Sequence, residues 1–319
     1  MKSRIKNILV AGGAGFVGSN LCEVLVAQGN LVMALDNVST GKIGNLKSLI
    51  QNPRFRFVRG DVCKLPLTPS LEKRGEINEI YHLASPASPP HYQKNPIATW
   101  QANILGTLNL LELAKKHRAK FLFASTSEVY GDPKEHPQKE SYFGNVNPVG
   151  IRSCYDESKR AGESLVMDFS RTHKLDVKIV RIFNTYGPKM DKHDGRVVSN
   201  FINQALHNQP ITIYGKGTQT RSFMYIEDLI LGLTKMMEGK ITGPVNLGNS
   251  QEFTVLDLAK KIIKLTKSSS KLIYKPLPQD DPKQRKPDIT LAKTKLNWQP
   301  KILLNVGLIK TISYFQNAR

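Results

Sequence analysis

One short stretch constrains this chain more than any other. Asn7–Ala11 has the apolar run of a buried strand and Gly12-Gly-Ala-Gly-Phe-Val-Gly18 follows it. Ser19–Gln28 reads as a helix closed by Gly29, and a second strand, Leu31–Leu35, runs into Asp36. Gly12, Gly15 and Gly18 fit G-x-x-G-x-x-G, and Gly13, Gly15 and Gly18 also fit G-x-G-x-x-G. Such glycines let the backbone turn tightly and approach a pyrophosphate. The last one lets helix and strand pack closely, and the helix N-terminus faces the anion. Asp36 lies 18 residues past Gly18, where a carboxylate can take the ribose hydroxyls of a dinucleotide. Its charge repels a 2′-phosphate, so NAD is expected over NADP.

The alternation continues. Phe55–Val58, Ile77–Leu83, Phe121–Ala124 and Lys178–Phe183 read as further strands, with helices at about Pro96–Lys116 and from Tyr155 to about His173. Strand–helix alternation of this kind predicts an α/β chain with a Rossmann-type doubly wound parallel sheet. Beyond Pro188 the elements shorten, and glycines, prolines and polar turns separate them. The expected division is a dinucleotide-binding domain over 1–188 and a smaller C-terminal substrate-binding domain over 189–319. Gly243–Gly248 is expected to return a strand to the main sheet. Gln219–Phe223 and Gln284–Asp288 read as loops, each presenting an arginine.

Ligands of open α/β sheets sit beyond the carboxyl ends of the strands. After Phe121–Ala124 that position holds Ser125, Thr126, Ser127 and Glu128, and a proline-rich loop then leads to Tyr155 and Lys159. Four residues apart on a helix, Tyr155 and Lys159 share a face. A phenol of ordinary pKa, about 10, is a poor base at neutral pH, and a neighbouring ammonium favours its ionised form. Tyr155 can thus take a hydroxyl proton, with Thr126 relaying it or orienting the hydroxyl. Alone, Tyr-x-x-x-Lys is more often a surface helix with an amphipathic tyrosine; the upstream fingerprint tips the reading to a site. Asp61, after the third strand, either reaches the adenine or forms a turn. His82 reads as a packed strand histidine. The apolar residues Ile97, Trp100, Ile104, Leu108 and Leu111 serve either the core or a dimer interface.

Composition narrows the rest. Of 319 residues, 40% are hydrophobic and 23% charged, as in ordinary globular proteins. No apolar run has the length of a transmembrane helix, about 18 residues. Lys2, Arg4 and Lys6 precede only a strand-length apolar run, so no signal peptide is expected. Three scattered cysteines, Cys22, Cys63 and Cys154, suit neither a disulfide framework nor a metal site, and a reducing, cytoplasmic setting is expected. The net charge of +20 is spread along the chain. Its clusters, Lys115–Arg118, Lys260–Lys275 and Lys283–Lys286, lack interleaved aromatics, so most of the charge reads as solvated surface rather than a nucleic-acid platform.

Together, Gly12–Gly18, Ser125–Tyr130 and Tyr155-x-x-x-Lys159 resemble the extended short-chain dehydrogenase/reductase (epimerase/dehydratase) family. Leu83-Ala-Ser-Pro-Ala-Ser-Pro-Pro90, Ser125-Thr-Ser-Glu-Val-Tyr-Gly-Asp132, Asn184-Thr-Tyr-Gly-Pro188, Asp194–Phe201, Gln219-Thr-Arg221 and Arg285-Lys-Pro-Asp288 resemble, within it, the UDP-glucuronic acid decarboxylase (UDP-xylose synthase) family. The similarity covers essentially the whole chain. It implies oxidation of the sugar at C4 by NAD, loss of carbon dioxide from the resulting β-keto acid, and return of the hydride to C4. Tyr155 would be the base and Thr126 would position the hydroxyl. Glu128 would face C5, Lys159 would bind the nicotinamide ribose and lower the Tyr155 pKa, and Arg285 would contact the carboxylate or ring. Arg196 and Arg221 would hold the diphosphate, Tyr214 the nucleoside and Asn184 the sugar-phosphate region. Expected cofactor contacts are Gly12, Gly15, Phe16, Val17 and Gly18 in the turn, and Asp36, Asn37, Ser39 and Thr40 after the second strand. Asp61, Val62, Leu83, Ala84 and Ser85 follow, then Ser125, Tyr155, Lys159 and Thr185. A UDP-sugar substrate and a homodimer are implied; metal, membrane and nucleic acid are not.

The chain departs from that pattern where Gln101 replaces a basic residue and Val38 an aromatic. A 4,6-dehydratase would use the same tyrosine and lysine but resembles this chain with an Asp-Glu pair in place of Ser127-Glu128. A 4-epimerase has no evident use for Arg285. The charge alone would suit a non-catalytic NAD-binding regulator or RNA-associated protein, against which Thr126, Tyr155 and Lys159 are all present.

Overall fold

The computed structural model describes residues 5–64, 75–280, 282 and 284–317. Lys2 and Arg4 of the charged N-terminus and Lys283 of a basic cluster lie outside the described residues.

The first half alternates as its sequence pattern requires. β1 (Asn7–Ala11), α1 (Phe16–Ala27), β2 (Leu31–Asp36), β3 (Phe55–Arg59) and β4 (Glu79–His82) lead through α2 (Pro89–Lys94) and α3 (Pro96–His117). β5 (Lys120–Thr126), α4 (Ser153–His173) and β6 (Val177–Ile182) complete it. Local chemistry sets the limits of α3. Pro96 needs no amide partner at the first helical position, the Asn95 side chain accepts from the Ala98 N–H at 3.1 Å, and Arg118 leaves the helix in the left-handed region at φ 51°.

The second half is shorter-stepped: β7 (Thr185–Tyr186), α5 (Val197–Leu206), β8 (Ile211–Tyr214), β9 (Thr220–Ser222), β10 (Met224–Tyr225) and α6 (Ile226–Glu238). β11 (Val245–Leu247), β12 (Glu252–Thr254), α7 (Val255–Thr266), β13 (Leu272–Lys275), β14 (Gln284–Arg285), α8 (Thr290–Leu296) and α9 (Leu304–Asn317) follow.

The main sheet has seven strands in the order β11-β6-β5-β4-β1-β2-β3, all parallel. The order reverses between β1 and β4, and the carboxyl ends there form the crevice where such sheets bind ligands. Both faces are covered. Ile8 and Val10 of β1 pack with α1 and α6 residues on one side; Leu9 and Ala11 pack with α3 and α4 residues on the other. β11 is the strand expected to return from Gly243–Gly248. It comes with α6, so residues 226–247 belong to the sheet although they lie beyond Pro188.

The remaining elements form small sheets at the carboxyl edge: β8 beside β13, and β9 between β12 and β14. Here one expectation is corrected. Arg221 and Arg285 sit not on loops but side by side on the paired strands β9 and β14. The proline-rich segment after β5 fastens this sheet to the main one. Gln138 accepts from the Asp288 N–H at 2.8 Å and its side chain accepts from the Lys286 N–H at 2.8 Å. That clamp carries Arg285 to the end of β5.

Candidate active site

The nucleotide half of the site is built by close backbone approach. Gly12 has φ +82°, and a Cβ there would lie 2.7 Å from the backbone of Leu83 and Ala84. The first turn therefore rests on the loop after β4, which brings Leu83, Ala84 and the half-buried Ser85 beside it. A Cβ on Gly18 would overlap the Gly12 carbonyl oxygen. α1 starts after Gly15 with no side-chain cap, so the amides of its first turn, at Phe16 and Val17, keep their partial positive charge for an anion.

Asp36 closes this half. Its Oδ2 accepts from the Ala14 N–H at 2.9 Å and its Oδ1 from the Val38 N–H at 2.7 Å. Burial raises its pKa against these bonds. Val38 holds φ 60°, a strained backbone for a β-branched residue, at the rim where its side chain departs from the family. Ser39 and Thr40 are exposed beside it. Asn37 donates to Asp61 at 3.2 Å, and Asp61 also accepts from the Cys63 N–H at 2.9 Å. Asp61 thus forms a turn, and its carboxylate also meets Asn37 just after β2. Val62 is buried against Gly106 of α3. An NAD molecule fits these residues: an open helix N-terminus, a glycine cradle with no room for side chains, and an acid at the end of β2.

The reactive half lies at the end of β5. Thr126 is the last residue of the strand, and Ser127–Tyr130 form a 3-10 turn that aims Glu128 back over it. Tyr155 is buried, hydrogen-bonded to Thr126 and stacked on Tyr92 with ring centroids 5.0 Å apart. Burial pushes its phenol up; the Thr126 bond and the Arg196 charge draw it down. Lys159 donates to the Ala124 carbonyl at 2.8 Å and lies 4.7 Å over the Phe123 ring. Burial lowers its ammonium to about 7, and Glu163 one turn on opposes that.

Glu128 is held between two guanidiniums, Arg152 at 2.6 Å and Arg285. Their charges keep its carboxyl far below the usual range. Arg285 also donates to the Gly131 carbonyl at 3.2 Å. Arg152 carries no family motif and escapes a reading of the sequence, as do Tyr92 and Asp156. Ser125 donates to Glu163 at 2.5 Å, and Glu163 is gripped by Arg181 through two bonds of 2.9 and 2.7 Å. These two also escape; their signal is only that Glu163 follows Lys159 by one helical turn. His82 is fully buried, bonded to Thr107 at 3.0 Å and held neutral by burial, as a packed strand histidine should be.

The expected substrate contacts spread outward from here. Arg196 pairs with Asp194 at 2.6 Å and lies 5.8 Å over the Phe16 ring, spanning from Tyr155 to the start of α1. Arg221 donates to the carbonyls of Thr220 and Pro282 at 2.9 and 2.5 Å. Asn184 is half-buried, and its carbonyl accepts from the Met224 N–H at 2.9 Å. Thr185 is buried, and Tyr214 is 41% exposed at the end of β8. Gln101 is exposed on α3.

Known proteins share this arrangement. The model of the NAD dependent epimerase/dehydratase family matches residues 8–248. UDP-glucuronic acid decarboxylase 1 of Arabidopsis thaliana is 53% identical over 310 residues, which are 97% of this chain and 70% of that protein. UDP-glucuronic acid decarboxylase 1 of Danio rerio is 49% identical over 97% of this chain and 72% of its own. Among solved structures, UDP-glucuronic acid 4-epimerase from Bacillus cereus, in complex with UDP-glucuronic acid and NAD, is 31% identical with a TM-score of 0.89, covering 98% of this chain and 100% of that one. With its glycine cradle, its acid at β2 and its Tyr155–Lys159 helix, the chain belongs to the NAD dependent epimerase/dehydratase family.

Proposed function

We propose that this protein is a UDP-glucuronate decarboxylase, an NAD-dependent carboxy-lyase that forms UDP-xylose and carbon dioxide. The observation that carries the reading is the Arg152–Glu128–Arg285 cluster beside Tyr155, joined to near-full-length similarity of about half the residues to proteins of that name. Two arginines against one carboxylate leave a positive charge at the sugar site, which suits a uronate. Glu128, held ionised, cannot protonate a leaving hydroxyl as a 4,6-dehydratase requires, and Ser127 beside it carries no acid.

Bound NAD would supply the oxidant that accepts hydrogen with an electron pair from C4 and later gives them back. Gly12, Gly15 and Gly18 would admit its pyrophosphate, Asp36 its ribose, and Lys159 its nicotinamide ribose. Tyr155 takes the proton of the C4 hydroxyl while Thr126 orients that hydroxyl. The resulting 4-keto acid loses its carboxylate readily because the ketone takes up the electrons, and Arg285 steadies the carboxylate until then. Arg196 and Arg221 would hold the diphosphate, for which guanidinium geometry is suited. Asn184 would lie by the sugar-phosphate region and Tyr214 by the nucleoside.

A homodimer through α3 and α4 is part of this reading. Ile97 is 66% and Leu105 45% exposed, and Trp100 is at the surface with them. α3 instead turns Asn103, Thr107 and Asn109 inward, each hydrogen-bonded. A cytoplasmic setting is proposed on the three free thiols. Among the described residues, no helix is long and apolar enough to cross a membrane and no cluster of ligands is arranged for a metal.

Tyr155→Phe tests the site. It should lower turnover of UDP-glucuronate by about 10²–10⁴-fold, the worth of a general base, while NAD still binds. Near-normal turnover would remove Tyr155 from the chemistry.

A further inference from the structure

Loss of carbon dioxide from a uronate consumes a proton: a carboxylate departs as a neutral gas and a C–H bond takes its place. Glu128 cannot supply that proton, since both its oxygens receive guanidinium hydrogen bonds. Asp156 is the other carboxyl in the cluster. It is 6% exposed, directly follows Tyr155, and its buried Oδ1 has no hydrogen-bond partner. Burial and the Glu128 charge push its carboxyl up to about 8, with Arg152 and Arg285 pulling the other way. The charged and titratable groups facing it are Glu128 after β5, Arg152 before α4, Arg285 on β14, Tyr92 on α2, and Cys154, Tyr155 and Glu157 on its own helix.

Asp156 and Arg152 form the inner wall of a cavity of about 190 Å³ whose outer wall includes the exposed residues Asn147 and Asp280. A water takes about 30 Å³ in the liquid, so several fit between Asp156 and the surface. Asp132 and Asp280 supply polar walls along the way.

Resting on the decarboxylase reading, we propose that Asp156 is the proton reservoir of the sugar site: it holds the proton that C5 takes up when the carboxylate leaves, and water in this cavity refills it. The C5–C6 bond breaks, and its electron pair moves into the C4 carbonyl to give an enolate and carbon dioxide. The enolate then forms a C5–H bond with the Asp156 proton and becomes the ketone, leaving Asp156 as a carboxylate. Solvent returns one proton, the one the reaction consumes. Charge balances throughout. Before the step, two arginines face Glu128 and the substrate carboxylate, with Asp156 neutral; afterwards they face Glu128 and ionised Asp156. The departing charge is what makes Asp156 release its proton at the right moment.

The test follows kcat for UDP-glucuronate against pH with the full-length protein loaded with NAD. Wild type should lose rate as pH rises through about 8, because the acid form is the active one. Asp156→Asn should be slower by about 10²-fold and lack that alkaline limb, while Asp156→Glu keeps the limb and recovers part of the rate. An Asn variant with wild-type rate and limb would overturn the proposal. So would a folded, NAD-binding Glu variant without the limb, and this second variant decides the matter if the Asn protein fails to fold. Wild type that releases no carbon dioxide from UDP-glucuronate would instead refute the decarboxylase reading itself.

Discussion

Arg152→Met removes the partner of Glu128 that no motif announces. In the structure the pair is 2.6 Å apart, with side chains 10% and 15% exposed, so neither charge can fall back on water. A hydrogen bond to a charged group is worth about 1.5–3 kcal/mol, and removing one partner of a buried pair costs about 3–5 kcal/mol. Glu128 keeps Arg285, so the lower part of that span applies, and a loss of about 2–3 kcal/mol is expected. Urea denaturation near neutral pH measures it. The sign with pH is fixed. Glu128 has a depressed pKa, so its contribution is present above the ordinary glutamate value and fades as pH falls toward about 2. With Arg152 gone the folded-state pKa rises toward the ordinary value, so the contribution is smaller and is fully lost at a higher pH. Adding Glu128→Gln removes the stranded charge, so the double variant should recover stability relative to the sum of the singles, by about 1–3 kcal/mol of coupling. Turnover should not recover in the double variant, and KM for UDP-glucuronate should rise in the Arg152→Met single variant, whose site has lost a positive charge. A cost for Arg152→Met within about 0.5 kcal/mol, as at an unconstrained surface position, or simple additivity with Glu128→Gln, would refute the cluster as a buried electrostatic unit.

Two other perturbations bear on the scaffold. Gly18→Ala places a methyl on the Gly12 carbonyl, so it should cost about 3 kcal/mol or more, the top of the overpacking range, and abolish NAD binding in a fluorescence titration. Trp100→Glu puts a charge in the exposed stripe of α3; sedimentation velocity should show dimer giving way to monomer, and an unchanged sedimentation coefficient would move the interface elsewhere.

The nucleotide half of the molecule is legible in the sequence because its determinants are local. The strand periods, the glycines that leave no room for a Cβ, and the acid ending β2 all lie within the first 36 residues. The return of β11 is legible too, since Gly243 and Gly248 bracket the short stretch Pro244-Val-Asn-Leu247. The sugar half is long-range. β9 and β14 are three and two residues long, too short for any period; β9 is held between β12 and β14, and its pairing with β14 spans 64 residues of chain. Arg285 meets Glu128 over 157 residues of chain, so their partnership is invisible until the clamp at Gln138 is in place. α3 shows a further limit of patterning. Asn103 and Asn109 are buried because Ser158 and the Val62 carbonyl take their hydrogen bonds, while the apolar Ile97 faces outward. Hydrophobic period alone would bury Ile97 and Trp100 along with Leu111, and would leave the two asparagines outside.

The central claim is an internal redox cycle that removes a carboxyl group. It is tested most directly by incubating the purified protein with UDP-glucuronate and a trace of NAD, following the nucleotide sugar by mass spectrometry and the reduced cofactor by absorbance. The account predicts conversion to a UDP-pentose lighter by carbon dioxide, over many turnovers, with no net accumulation of reduced cofactor. A UDP-sugar that keeps its carboxyl group, whether unchanged or epimerised, or a keto product matched one-for-one by reduced cofactor, would contradict it.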